Sequence, residues 1–330
     1  MFFRFFIKTK CFMNRSFTLF LLVGFVFFSL AVASCKKFEG SQTVPAYIHI
    51  DSISLECDYS VYGANTHKIT DAWVYVDDQI IGCYELPATF PVLKKGPHKV
   101  TVFGGICSNG ISASRSTYPF YKRVEYAGLN LVEDSIVNLN PVVNYYPIGD
   151  GCEVAWMEDF ETANTLLPES ESDTSMLRVS GSEAWHSVNS FYSGKVELPP
   201  DSLDFSLVTA NEFSFYKDMG GVYCLLEMDY NCNDTFFVGV QYFKDYKLET
   251  LPLIKVTPTD KTHDKPQRWN KIYINIGPTM NRNVNASYFK VYFTSDLTTG
   301  EDVDFGYQYH PIDERRYYYF DNLKLLYRKL

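Results

Sequence analysis

The sequence predicts an all-β protein built from two successive β-sandwich units. Short runs of alternating apolar and polar residues recur along the chain, each bounded by Gly, Pro, Asn or Asp. That is the spacing of strands and turns in sandwiches and barrels. Helical periodicity is almost absent, and aromatic residues supply 17% of the chain, a composition that suits half-buried pleated surfaces. Residues 35–330 make a length better served by two cores than by one.

Residues 1–34 carry Arg4, Lys8, Lys10 and Arg15, no acid, and close on LFLLVGFVFFSLAVAS before Cys35. A basic start, a short apolar core and small residues at the cut form a secretory signal. The apolar run is shorter than the roughly 20 residues of a spanning helix. Met13 offers a second start that gives a more typical signal length. The stretch VASC resembles the lipobox of bacterial lipoproteins; the alternative is an ordinary cleaved signal or leader anchor with Cys35 incidental. The resemblance implies cleavage before Cys35, acylation of its sulfur (a palmitate-type chain) and of its new amine, and anchoring by two or more chains. Residues 35–44 then read as a polar tether. Lys36 stands where some bacteria place an inner-membrane retention aspartate, which points to the outer membrane, facing the periplasm or the cell surface.

The whole chain has a formal charge of −9; without residues 1–34, 26 basic residues face 39 acidic ones, a net of −13. So acidic a surface excludes nucleic acid and anionic lipid headgroups as partners, since both need a basic footprint. Six cysteines follow Cys35, at 57, 83, 107, 152, 224 and 232, with no disulfide framework or zinc spacing. Buried free thiols are expected, with a pair among Cys57, Cys83 and Cys107 left open. Cys224 and Cys232 bracket one extended run, too far apart to bridge.

Residues 45–147 form the first unit. PAYIHIDSISLECDY opens it; in DAWVYVDDQIIGCYEL, Trp73 and Tyr75 face one way and Val74 and Val76 the other, around an Asp77-Asp78 turn. KKGPH and Asn109-Gly110 mark further turns, and DSIVNLNPVVNYY closes the unit. The stretch from Trp73 to Ile106 resembles small Ig-like or PEGA-type β domains of exported bacterial proteins, which implies a spacer or interaction module. PIGDGCE is a linker, and residues 152–330 form the larger unit. Its strands include VYCLLEMDYN, TFFVGVQYF, WNKIYINI, YFKVYF and the terminal YYYFDNLKLL. Their order resembles jelly-roll sandwiches of the carbohydrate-binding-module and galactose-binding type.

In the terminal strand, simple alternation puts Tyr319, Asp321, Leu323 and Leu325 on one face, opposite Lys324. An unpaired carboxylate among leucines needs a cation or strong donors. In jelly-roll binding modules a last-strand aspartate often shares a structural calcium with a glutamate of an opening FE motif. The resemblance implies Glu161 and Asp321 as ligands, with Glu158 or Asp159 beside them. The other reading has Asp321 capping backbone amides or pairing with Arg315 or Arg316.

Aromatic residues able to stack on sugars include Trp156, Trp185 and Trp269, and Tyr307 and Tyr309 with His310 in a long loop. Most aromatic residues at this density must be core, and Trp269, opening a strand, reads as core. Ligand contacts are therefore expected at Trp185, Tyr307, Tyr309 and His310. No HExxH, GxSxG, phosphate loop or dinucleotide fingerprint is present. Three Asp-Ser-aliphatic triplets, at Ser52, Ser135 and Ser202, resemble O-glycosylation acceptors of the Bacteroides group; the plainer reading is turn chemistry. The leading expectation is a non-catalytic, lipid-anchored envelope protein that binds glycan or envelope material. A structural or assembly subunit of an envelope complex is the rival, and a glycan-active enzyme comes third.

Overall fold

A computed structural model describes residues 44–185, 189–200, 202, 204–214, 222–259, 269–295 and 315–329. Cys35, Tyr307, Tyr309 and His310 lie outside the described residues. No described helix is long and apolar enough to cross a membrane. Residues Ala46–Leu330 gather into one compact unit with two hydrophobic clusters.

The first half holds β1 (Ala46–Ile50), β2 (Ser54–Leu55), the one-turn helix α1 (Tyr59–Tyr62), β3 (Asp71–Val76), β4 (Gln79–Glu85), β5 (Ala88–Val92), β6 (Gly96–Cys107), β7 (Arg115–Thr117), β8 (Val124–Leu131), β9 (Ile136–Leu139) and β10 (Val142–Val143). β1 lies between antiparallel β5 and parallel β9, while β4, β3 and β6 run in a second sheet that β7 and β8 extend from β6. Asp77 and Asp78 both adopt positive φ, as do Asn109 and Gly110, so these turns form where the sequence places them. Val74 and Val76 are fully buried while Trp73 and Tyr75 face away from that core.

The second half holds β11 (Glu153–Glu158), β12 (Leu166–Pro168), β13 (Leu177–Ser180), β14 (Tyr192–Leu198), β15 (Ser206–Thr209), β16 (Val222–Cys232), β17 (Phe236–Lys244), β18 (Lys247–Val256), β19 (Asn270–Asn275), the short helix α2 (Gly277–Arg282), β20 (Tyr288–Ser295) and β21 (Arg316–Lys329). One sheet orders β13-β14-β21-β16-β19 with β11 added on β21, the other β12-β15-β20-β17-β18. Apart from the β13–β14 and β17–β18 hairpins, successive strands switch between the two sheets, which is the jelly-roll pattern, and the inner faces meet in a core that includes Phe205, Phe236, Phe293, Tyr318 and Phe320. Gly239 sits at a register shift where an added Cβ would come within 2.2 Å of the Leu251 carbonyl. Only glycine admits so close an approach of β18.

The outer face of the β21 sheet is divided. Leu225, Tyr273 and Leu326 turn outward into the first half's cluster, which also takes Cys152. The PIGDGCE stretch is therefore a bridged turn, Ile148 pairing with Cys152, whose cysteine is core. All six described cysteines are free; Cys152, Cys224 and Cys232 are buried, and Cys83 is exposed.

Between the halves lies a buried charge cluster. Glu227, fully buried, accepts hydrogen bonds from the hydroxyls of Tyr118 (2.6 Å) and Tyr145 (2.8 Å) and lies 3.2 Å from the Lys271 ammonium. Lys271 also stands 3.5 Å from Asp229, and Lys324 donates to the Ala64 carbonyl at 2.5 Å. Burial works against the Glu227 carboxylate, but Lys271, Lys324 and the two tyrosines outweigh it and hold its pKa below the ordinary value. Burial likewise opposes charge on Lys271, yet Asp229 and Glu227 hold it above its usual value. Lys324 is pulled down, chiefly by burial. Removing one member of such a set leaves uncompensated charge in a low-dielectric site, which costs about 3–5 kcal/mol. Glu227→Ala should lower unfolding free energy by about that much in urea titrations, whereas Glu249→Ala on the exposed part of β18 should stay within about 0.5 kcal/mol of the parent.

Candidate functional site

β21 does not alternate as its sequence suggests. Asn322 has φ 48°, and the register between β16 and β21 shifts between Glu227 and Asp229. The extra residue is a β-bulge, which reverses the facing of everything beyond it. Leu323 and Leu325 join Tyr318 and Phe320 in the core, while Tyr319, Asp321, Lys324 and Leu326 share the outer face. Asp321 is thus not among the leucines, as alternation implied.

Three rows of side chains cross that outer face. Lys195, Tyr319 and Asn231 form one; Asp321, Asp229 and Lys271 the next; Lys324, Glu227 and Tyr273 the third. The third is covered by the first half. At the level of the first, Trp269 precedes β19 with its ring 6.2 Å from Tyr319, and Trp185 meets Trp269 edge-to-face at 5.7 Å and 76°. Tyr317 continues the ladder 5.4 Å from Tyr319. Trp269 therefore belongs to a surface and not to the core, whereas Trp156 is core, its indole N–H donating to Thr165 Oγ1 at 2.9 Å.

Beside the covered row, a cleft of about 540 Å³ opens. Trp185, Trp269, Asn270 and Lys271 line one side, and the loop Asn65–Lys68 of the first half the other. That loop is clamped to the sheet. Lys271 donates to Thr66 Oγ1 (3.1 Å), the Lys68 N–H to the Tyr273 hydroxyl (2.9 Å), and Lys68 Nζ to Asn270 Oδ1 (2.8 Å). Asp229, the cleft's carboxylate, is tied to Lys271 and accepts from Asn322 Nδ2 at 2.9 Å. The buried indole N–H groups of Trp185 and Trp269 and Nδ2 of Asn231 have no hydrogen-bond acceptor among the described residues.

Asp321 supports this site from beneath. Ser193 Oγ donates to Asp321 Oδ2 at 2.6 Å and accepts the backbone N–H of Trp185 at 2.8 Å. The buried carboxylate thereby fixes the hydroxyl that fixes the tryptophan. Ser190 and the Asn322 N–H add to it, but no described basic residue pairs with it. Burial raises its pKa from 3.8 to about 8, Ser193 and Asn322 pulling the other way. Arg315 binds Glu197 and Arg316 lies 3.9 Å from Asp234.

The expected companions of Asp321 stand apart in their chemistry. Glu158 is saturated by the N–H groups of Phe160 and Thr165 and the Thr165 hydroxyl. Glu161 Oε1 accepts from the N–H groups of Phe191 and Tyr192. The Tyr59 hydroxyl, from α1, lies 3.0 Å from Asp159 Oδ2 and 2.8 Å from the Asn189 carbonyl. Burial raises the Tyr59 pKa above its usual value, and the fields of Asp159, Glu161 and Asp321 all add to the rise. The described residues hold no group of three His, Cys, Asp or Glu side chains placed to ligate a metal directly. Ser52 is exposed, and Ser135 and Ser202 are half-buried. Ser135 follows Asp134, at φ 56°, and Ser202 closes a turn onto the Pro199 carbonyl.

Of the expected ligand contacts among the described residues, Trp185 lies at the cleft. Trp269 and Asn65–Lys68 were not expected there. The loop has no periodicity or motif, and only tertiary packing brings it to β19. No family model matches the chain, nor does any curated protein. Solved structures similar to it include a carbohydrate-binding module of the β-sandwich superfamily (10% identity, 77% of this chain and 84% of that one, TM-score 0.34). A family 11 carbohydrate-binding module from Clostridium thermocellum, in complex with a β-1,3-1,4-mixed-linked tetrasaccharide, shows 10% identity over 51% of this chain and 92% of that one, TM-score 0.32. The enzymatically active domain of tailspike protein 4 from bacteriophage CBA120 shows 9% identity and TM-score 0.33 over 51% of this chain, but the match spans only 20% of that chain.

Proposed function

We propose that this chain is a lipid-anchored cell-envelope protein that binds glycan, without turning it over, at the cleft of Trp185 and Trp269. The observation that carries the reading is the pair of edge-to-face indoles at the mouth of a cleft whose other wall is the polar loop Asn65–Lys68. Sugar rings present C–H faces that stack on indoles and hydroxyls that need hydrogen-bond partners. The polar side chains of Asn65, Thr66, Lys68 and Asn270 that line the cleft suit a hydroxyl-rich ligand. Binding rather than catalysis is favoured because Asp229 is held by Lys271 and Asn322 and has no second carboxylate across the cleft among its described lining residues. On a glycan array the soluble chain should retain a defined set of glycans, and Trp269→Ala should weaken the best of them about tenfold or more. An empty array together with a stoichiometric protein partner co-purified from detergent-solubilised membranes would replace this reading with that of an assembly subunit.

A structural calcium ion fits part of the expected ligand set. Asp321 is a buried carboxylate with no cationic partner among the described residues, and Glu161 retains an oxygen beyond the one bound to backbone amides. Glu158, filled by three donors, does not fit. Bound calcium would supply the positive charge that Asp321 lacks; Asp321 and Glu161 would hold it. Adding calcium to chelator-treated protein should raise the melting temperature, and Asp321→Asn should abolish that response while the fold persists. An unchanged melting temperature in the parent would remove calcium from the account.

The lipid anchor is assigned to Cys35 on the strength of VASC at the end of the apolar run. Expressed from its own signal in a Gram-negative host, the chain should partition into detergent phase, and Cys35→Ser should move it to the aqueous phase. Detergent partitioning unaffected by that change would refute the assignment.

A further inference from the structure

At the opposite end of the same outer face, a second cleft of about 480 Å³ lies between β7, the turn that follows it, and the ends of β16, β19 and β21. Its walls include Ser116, Thr117, Tyr146, Tyr223, Asn275 and Arg328. Arg328 is the single charged residue among those lining it, and no carboxylate does so. In a chain with nine more acidic than basic residues, a concave site of purely positive charge needs a reason.

Arg328 is held but not neutralised. One guanidinium nitrogen, Nη1, donates to the Pro119 carbonyl at 3.2 Å, and the guanidinium carbon lies 5.2 Å from the centre of the Tyr223 ring. Among the described residues it makes no ion pair and no other hydrogen bond. A backbone carbonyl and an aromatic face thus orient the fork while Nε and Nη2 keep donors to spare. A guanidinium so placed matches the two oxygens of a carboxylate. Around it, the Ser116 and Thr117 hydroxyls and the Asn275 amide offer directional partners, and Tyr146 and Tyr223 offer ring faces. The volume falls within the roughly 300–1,000 Å³ typical of small-molecule sites.

We propose that this cleft is a second binding site, specific for a sugar acid of the hexuronate type. Arg328 receives the carboxylate, a tyrosine face packs on the ring, and Ser116, Thr117 and Asn275 meet the hydroxyls. The site is separate from the tryptophan cleft, and no residue lines both.

The test is titration calorimetry of the soluble chain with glucuronate and galacturonate, against glucose and galactose at the same ionic strength. At least one uronate should bind while its neutral counterpart does not. Arg328→Gln should weaken that binding about tenfold or more, the loss expected for a hydrogen-bonded charge pair. Because Arg328 also ties β21 to Pro119, Ser116→Trp serves as a second variant. Ser116 is exposed, so the change fills the cleft without touching the core, and it should block binding with the melting temperature unchanged. Trp269→Ala should leave uronate affinity as in the parent. The proposal is overturned if uronates bind no better than neutral sugars. It is equally overturned if both cleft variants bind like the parent, or if Trp269→Ala abolishes uronate binding, which would put the ligand in the other cleft.

Discussion

One buried carboxylate organises this molecule. Glu227 sits on β16, between β21 and β19, fully enclosed, with two lysines and two tyrosine hydroxyls turned toward it. The lysines come from β19 and β21, the tyrosines from the first half. A charge of this kind contributes little to stability when intact, compared with well-packed apolar residues, but tolerates no misalignment. Its effect is geometric. Its pairings join the halves in the register that holds the loop Asn65–Lys68 beside Trp269 and sets Tyr223 and Arg328 beside Pro119. Both clefts are by-products of a seam that charge has made specific.

The outer face of the β21 sheet shows how one surface carries several tasks. Its inner side is uniformly apolar, as a sandwich core requires. Outward, one row is covered and neutralised, the next supports, and the last is aromatic. Asp321 belongs to the supporting row. Its link through Ser193 to the Trp185 backbone ties the outer face of the sheet to a tryptophan that lines the cleft. A residue that sequence reasoning marked as an ion ligand thus has a second, positioning role that no motif announces.

Much of the fold was legible because strands and tight turns obey local rules. Asp77-Asp78 and Asn109-Gly110 are turns for reasons contained in two residues each, and Val74 and Val76 are inward because alternation holds over a short strand. What was not legible depends on distant parts of the chain. Trp269 reads as core from its own neighbourhood, and only the pairing of β19 with β16, and the arrival of Trp185, make it a surface ring. Lys324 reads as marking the wetter face of its strand, yet it is buried, as is Lys271, because Glu227 and the first half receive them. Cys152, at the end of the linker stretch, reads as a buried thiol, but only the fold shows that it joins the first half's cluster.

The bulge at Asn322 carries a lesson in parity. Along most strands, residues an even number apart are companions, and patterns are judged by that count. Across Asn322 the count turns odd, so Asp321 and Lys324, three apart, are companions, while Asp321 and Leu323, two apart, are strangers. A related sequence lacking Asn322 would reach the same facing by plain alternation, whereas this sequence run through Asn322 without the bulge would present its leucines to the tyrosine seam and its lysine to the phenylalanines. The identity of this strand therefore resides less in which residues it contains than in where its count slips.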